Sequence, residues 1–284
     1  MIFADEGVDP SGLMACETIE AAGSFPWIRY FAEVESTNTA AMQDLTAASL
    51  PLPPRLYLAD RQTAGRGRHG RTWVADNGTL TFSIVVPKDL REIFPPVPEF
   101  QSTAQPRLSA PVSMAVGVAV SRAIDHLAAP FTSRIKWPND VYCGDGKVAG
   151  ILIEAAPSPH DVLVIGVGLN VATTLADHQG AFQAPARSLN ELTQRYPHRY
   201  QWLVEVIEQI MNALVELRDE PQSIIREQRK RCLLTGQAIR YLVEEQWLHA
   251  TCDGIDDNGS LLVRDAAGVK RLSSGEVLRV RRNS

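Results

Sequence analysis

The sequence predicts a mixed α/β domain over residues 25–233, followed by a small all-β module over 234–284. Three observations carry this prediction. Strand-like runs alternate with helical periods through the first two hundred residues or so, which is the pattern of a layered α/β domain. The run "DVLVIGVGLNV" at 161–171 is almost continuously apolar, as expected of a strand covered on both faces. After "LLTGQ" the helical period stops, and short β segments follow, separated by the turns "DDNGS" and "DAAGV".

Taken in order, residues 1–24 are small and polar with weak periodicity, and read as a loose extension. "WIRYFAEV" (27–34) alternates as a strand. Ser36 fits a helix N-cap with "TNTAAMQDLTAA" behind it. "RLYLAD" (55–60) and "LTFSIVV" (80–86) are strands that flank a Gly/Arg loop. Six prolines from Pro87 to Pro111 mark 88–108 as a non-helical insertion. "VSMAVGVAVSRAIDHLA" (112–128) is an apolar helix, and "SRIKW" (133–137) and "KVAGILIEAA" (147–156) are strands. Residues 199–231 carry helical periodicity, clearest in "WLVEVIEQIMNALVEL".

Composition narrows the function. With 45% hydrophobic and 21% charged residues, the chain is of ordinary globular type. Its 28 Lys and Arg against 33 Asp and Glu give a net charge of −5, the opposite balance to an extended nucleic-acid binder. Cys16, Cys143, Cys232 and Cys252 lie far apart without metal-ligand spacing, which points to a reducing compartment. The opening "MIFADEGVDP" is acidic and lacks the apolar core of a signal peptide, and no run is long enough to span a bilayer. The expectation is a cytoplasmic protein that engages neither DNA nor a membrane.

Against that acidic background, "QTAGRGRHGR" (62–71) concentrates three glycines and three arginines. Gly65, Gly67 and Gly70 free the loop backbone, and Arg66, Arg68 and Arg71 offer planar forks that suit carboxylate or phosphate. A solvated basic loop has the same composition. The glycine spacing mimics a dinucleotide fingerprint, but strand rather than helix follows, so that reading fails. In "RIKWPNDVY" (134–142), Pro138 ends a strand in a turn that presents Lys136, Asn139 and Asp140. A cation, an amide and a carboxylate suit a nucleotide and its metal, or simply form an Asn-Asp turn. "GDGKVAGILIE" (144–154) feeds Lys147 into a strand whose Gly150 allows close approach of a ligand or another backbone. In "GVGLN" (166–170), Asn170 at a buried strand end reads an adenine edge or caps a turn.

The order of "ESTNTA", "QTAGRGRHGR", "KWPND", "GKVAGILIE", "GVGLN" and "SGEV" resembles the biotin–protein ligase family over roughly 27–281. The resemblance implies a biotin/lipoate ligase-type catalytic domain and an SH3-like C-terminal domain. It implies two steps: biotin and Mg-ATP give biotinyl-5′-AMP and pyrophosphate, then a lysine of a carboxylase carrier domain takes the biotin. By the same resemblance Ser36, Thr37, Asn38 and Gln62 meet the biotin ring, and Arg66, Gly67 and Arg68 close over it. Arg71, Lys136, Asn139 and Asn170 fall on the nucleotide side, with Asn170 at the adenine. Lys147 lies between the biotin carboxylate and the α-phosphate, and catalysis is expected of Lys147, Arg68 and Asp140, the last acting on the carrier lysine. Trp73 and Ser83 are candidate pocket walls. No side-chain metal site is expected, magnesium arriving with ATP. A closing loop is expected at 63–72 and another at 172–187.

Three features depart from the family pattern: His69 where arginine is frequent, the 88–108 insertion, and too few residues before the first strand for a winged helix-turn-helix. DNA-binding repression is therefore not expected. Oligomeric state stays open between monomer and homodimer. A lipoate or octanoate ligase has no need of ureido partners such as Gln62. A nucleic-acid binder conflicts with the net charge, and a non-catalytic binder would have lost Lys147.

Overall fold

Two sheets organise the chain, seen in a computed structural model that describes residues 1–45, 53–93, 109–155, 161–175 and 185–279. The larger sheet holds β1 (Ile2–Ala4), β2 (Trp27–Val34), β3 (Arg55–Gln62), β4 (Thr79–Pro87), β5 (Ser133–Lys136), β6 (Asp140–Cys143), β7 (Gly146–Ala155) and β8 (Val162–Asn170). Their spatial order is β1-β2-β3-β4-β8-β7-β6-β5. The first three strands are parallel and the remaining pairings antiparallel. The helices are α1 (Pro10–Ala21), α2 (Thr37–Asp44), α3 (Ser109–Leu127), α4 (Leu189–Thr193), α5 (Arg199–Asp219) and α6 (Pro221–Arg231). A five-stranded antiparallel sheet follows: β9 (Ala238–Val243), β10 (Gln246–Ile255), β11 (Leu261–Asp265), β12 (Gly268–Leu272) and β13 (Val277–Arg279), in the order β12-β11-β10-β9-β13.

Period-2 alternation decides which face of the large sheet is core and which is free. On β4, Leu80, Phe82, Ile84 and Val86 enter the main core with Val116 and Val120 of α3 and Leu203 and Val206 of α5. Each such side chain contributes about 1.5–3 kcal/mol on burial. Thr79, Thr81 and Ser83 point the other way. On that second face, α2 covers only one end, where Ala41 and Leu45 join Trp27, Tyr57, Val85 and Val164. Among the described residues no helix closes over the rest of that face, and the site lies there. The main core also runs without a break into the small sheet, through Ile239, Tyr241, Cys252, Leu261, Val263 and Val277.

Several expectations need correction. Residues 1–24 are not a loose extension, because β1 pairs in parallel with β2 (Ile2↔Ile28) and α1 sends Ala15, Cys16 and Ile19 into the core. Asp9 caps α1 by accepting from Ser11 N, and Pro10 opens it. Apart from Ile19 the buried side of α1 is made of small residues, Gly12, Ala15 and Cys16, so its helical period is weak. At Gly12 an added Cβ would lie 2.1 Å from Tyr30 Oη. Residues 199–231 are helical as expected and divide into two helices, since Pro221 starts α6 after Glu220. The 137–139 turn is as expected, but Asp140 begins a further strand, β6. Most of the 88–108 insertion, and 176–184 of the second expected loop, lie outside the described residues. All four cysteines are buried and free, and among the described residues no helix is long and apolar enough to cross a membrane.

Candidate active site

The open face is floored by glycines. Across β4, β8 and β7 the register aligns Ser83 with Gly166 and Leu152, and Thr81 with Gly168 and Gly150. Alternation then brings Gly166, Gly168 and Asn170 to one face of β8. A Cβ on Gly166 would lie 2.4 Å from Asn38 Oδ1, and one on Gly168 would lie 2.3 Å from Trp73 Cε2. Both positions must lack a side chain, because Asn38 and the Trp73 indole rest directly on the backbone. The resulting cleft has a volume of about 460 Å³.

At the Gly166 end the cleft is polar and internally bonded. Ser36 caps α2, its Oγ accepting from Thr39 N at 3.5 Å, and this orients Thr37 and Asn38 inward. Thr37 N donates to Gln62 Oε1 at 2.7 Å, and Thr37 Oγ1 lies 3.1 Å from the same oxygen. Ser83 Oγ lies 2.7 Å from Thr37 Oγ1 and 2.6 Å from Asn38 Oδ1. Asn38 Nδ2 donates to Glu154 Oε2 at 2.8 Å, and Arg66 reaches that same oxygen at 3.1 Å. Ser36, Thr37, Asn38 and Ser83 are all buried.

Lys147 owes its direction to a bulge. Asp140 pairs with Gly150 and Val141 with Ala149, but Tyr142 pairs with Lys147, so β7 carries one extra residue at Val148. Strict alternation from Gly150 would aim Lys147 into the core. The bulge turns it back to the ligand face, where Nζ sits 2.6 Å from Asp140 Oδ1 and 5.4 Å from the Trp73 ring centroid. Its backbone is held on both sides, by Lys147 N→Pro185 O at 2.8 Å and Arg187 N→Lys147 O at 3.0 Å.

Positive charge collects beside it. Lys136 Nζ lies 3.9 Å from Asp140 Oδ2. Burial alone would raise the Asp140 carboxyl, but Lys147 and Lys136 outweigh it and hold it below the usual carboxylate range. Burial lowers the Lys136 ammonium and the Arg68 guanidinium, opposed in both cases by Asp140. A depressed carboxylate contributes stability above its unfolded value of about 3.9 and loses it as pH falls through the folded value. Asp140→Asn is therefore expected to melt lower than the unsubstituted chain at pH 7, with the gap closing in acid below about pH 4. Thermal melts across pH check this, and a gap unchanged at low pH would contradict it.

The Gly/Arg loop spans these two regions. Gly67 N bonds Arg71 O at 2.7 Å and Trp73 N bonds Gly65 O at 2.8 Å, with His69 in the left-handed region at φ 56°. Its arginines lean on three walls: Arg66 on Glu154, Arg68 on Asn139 Oδ1 at 3.3 Å, and Arg71 on Glu276 of the segment leading into β13. Asn139 in turn donates to Ile151 O at 2.7 Å.

All the residues singled out by motif, namely Ser36, Thr37, Asn38, Gln62, Arg66, Gly67, Arg68, Arg71, Lys136, Asn139, Asp140, Lys147 and Asn170, line this cleft, as do Trp73 and Glu276. Sequence reasoning gave no role to Gly166, Gly168, Glu154 and Glu276. The two glycines of "GVGLN" were a visible signal, since alternate glycines in a buried strand mark a close approach. Glu154 and Glu276 fall within "GKVAGILIE" and "SGEV", but their pairing had no local signal, because their partners lie 88 and 205 residues away. Among the described residues no group of three or more His, Cys, Asp or Glu is placed to hold a metal ion. Asp140, the carboxylate nearest Lys147, faces two lysines, so these side chains do not fit a protein-held divalent ion.

Residues 30–170 match the biotin/lipoate A/B protein ligase family, and residues 235–280 match the biotin protein ligase C-terminal domain. Over 268 residues the chain is 30% identical to a biotin–[acetyl-CoA-carboxylase] ligase of Mycobacterium tuberculosis, covering 93% of each. The chain belongs to the biotin–protein ligase family. A second such ligase, from Paracoccus denitrificans, is 31% identical, with 87% of this chain and 98% of that one aligned. The solved biotin protein ligase of Aquifex aeolicus in complex with biotin and ATP superposes with a TM-score of 0.72 at 25% identity, covering 90% of this chain and all of that one. The ligase fold is thus a mixed α/β catalytic domain with an eight-stranded sheet, followed by a small antiparallel β domain.

Proposed function

We propose that this ligase joins biotin and ATP end to end along β8, forms biotinyl-5′-AMP with release of pyrophosphate, and passes the biotin to a lysine of a carboxylase carrier domain. One observation carries the reading: the layout of the cleft along a single strand. From Gly166 to Asn170 is four residues, about 13 Å of strand. Of the ring-binding set, Asn38 and Ser83 meet the strand at Gly166, and Thr37, capped by Ser36, joins Ser83 to Gln62. Lys147 and Trp73 stand at the Gly168 and Gly150 level. Asn170 closes the far end, where the adenine would lie.

In the first step a carboxylate oxygen of biotin attacks the α-phosphorus, and the bond from that phosphorus to the bridging oxygen of pyrophosphate breaks. Two anions must be brought together, so fixed cations where charge accumulates lower the barrier. Lys147 is assigned to the carboxylate and α-phosphate, Lys136 and Arg71 to the phosphates, and Arg68 to the loop that covers them. Asp140, expected from the sequence to act on the carrier lysine, is assigned instead to holding Lys147, since its carboxylate is engaged by Lys147 and Lys136. In the second step the neutral carrier amine attacks the acyl carbon; the amide C–N bond forms, the acyl C–O bond to phosphate breaks, AMP leaves and the amine gives up a proton to solvent. No step is assigned to a protein-held metal.

The hydrogen-bonded ring end favours biotin over lipoate or octanoate, whose chains offer no partners to Thr37, Asn38 or Gln62. Pyrophosphate release with Mg-ATP and each acid in turn is the test. Release with biotin alone supports the reading. Release with an acyl acid instead would keep the fold and overturn the substrate.

A further inference from the structure

Beside the nucleotide end lies a buried polar chain that none of the roles above uses. Asp76 sits in the turn before β4, accepting from Gly78 N at 2.9 Å and from Thr174 N at 2.8 Å. From its Oδ1 a line of hydroxyls leads inward: Thr79 Oγ1 at 3.0 Å, then Thr173 Oγ1 at 2.9 Å, then Asn170 Oδ1 at 3.4 Å. Thr79, Thr173 and Asn170 are all buried. The same turn is tied by Ala172 N→Gly78 O at 2.8 Å, so closely that a Cβ on Gly78 would lie 2.3 Å from Ala172 O.

From the opposite side α5 pins this turn in place. The buried Arg199 guanidinium donates to Asn77 O at 2.6 Å and Thr79 O at 3.4 Å, and bonds Asp60 Oδ1 at 2.5 Å. The turn is therefore a fixed support, and Thr173 Oγ1 is the atom through which it reaches the Asn170 amide. A primary amide on a strand end has two roughly equivalent orientations and presents either its oxygen or its N–H₂ to a ligand. A hydroxyl alone would accept either end, but the Asp76 carboxylate only accepts: Thr79 donates to it and Thr173 donates to Thr79, and this fixed direction lets Thr173 discriminate between the two ends of the amide.

We propose that Thr173 is a positioning residue for the nucleotide: held by Thr79 and Asp76, it fixes the Asn170 amide so that one defined end faces the adenine. The inference rests on the nucleotide reading above. Thr173 does not touch the reacting atoms, and it lies at the far end of the strand from the ring-binding set.

The test is steady-state pyrophosphate release by Thr173→Val and Thr173→Ser, with ATP and biotin varied separately. Loss of one oriented hydrogen bond at the nucleotide predicts an ATP KM raised about five- to tenfold in Thr173→Val, at an unchanged biotin KM. Thr173→Ser, which keeps the hydroxyl, is expected to return the ATP KM to within about twofold of the unsubstituted value. An unchanged ATP KM in Thr173→Val overturns the proposal. So does a parallel rise in both KM values, or a serine variant as impaired as valine, because either marks a packing role. If the unsubstituted protein releases no pyrophosphate with biotin and ATP, the failure belongs to the functional reading and not to Thr173.

Discussion

Lys147→Ala is expected to lower biotin-dependent pyrophosphate release by about 10²–10³-fold, the usual consequence of removing one fixed donor from a developing charge. The chain should keep its fold. Lys147 has only a quarter of its side chain exposed, yet it lies on the ligand face and not in the core, so its removal opens no core cavity. Asp140 retains Lys136 at 3.9 Å, which spares it from standing as a lone buried charge. The variant should thus show unaltered circular dichroism and a cooperative melt, with turnover all but gone. Turnover within about threefold of the unsubstituted chain would remove Lys147 from the chemistry and leave the bulge that aims it without a functional reason. Lys147→Arg is the informative companion. It keeps the charge, but its planar fork cannot replace a compact ammonium 2.6 Å from Asp140, and most of the loss should persist.

Gly168→Ala should be nearly as damaging, although glycine carries no chemistry. The new methyl would sit 2.3 Å from Trp73 Cε2 and 2.5 Å from Nε1, distances no side chain tolerates. The indole cannot withdraw alone, because Trp73 N is tied to Gly65 O and the whole Gly/Arg loop would follow. Overpacking of this kind costs about 1–3 kcal/mol of stability. The larger effect falls on activity, with pyrophosphate release expected to drop at least about 10²-fold, since displacement by one ångström or so disrupts reacting geometry. Tryptophan fluorescence should change in parallel. Gly117→Ala is the control: its methyl meets nothing nearer than 3.8 Å, and both activity and emission should hold. Full activity in Gly168→Ala would show that the indole position is immaterial.

These two residues also mark what the sequence made legible. Lys147 stood out by motif, and the strand beginning near it was placed within a residue. The bulge that turns it outward was not visible, because it exists only in the pairing of β7 with β6. The Ser36 cap could be read directly, since capping is a property of neighbouring residues. The pairing of Glu276 with Arg71 could not, as the two meet only when the small sheet folds back on the large one. The N-terminal strand and helix were missed for two reasons. A three-residue edge strand has no periodicity to show, and the buried side of α1 is made of small residues apart from Ile19. Even so, Asp9 followed by Pro10 was a start signal in plain sight.

The unbroken core between the two sheets has a mechanical consequence. Trp137 donates its indole N–H to Gly259 O at 3.1 Å, and a Cβ on Gly259 would lie 2.2 Å from Met114 Cε. Tyr241, Ile255 and Val277 are sealed into the same interior. Swinging the small sheet aside would expose all of these at once, so it is a fixed jamb and not a door. Heating should accordingly take the chain apart in one step, with the C-terminal sheet melting at the same temperature as the catalytic sheet it walls.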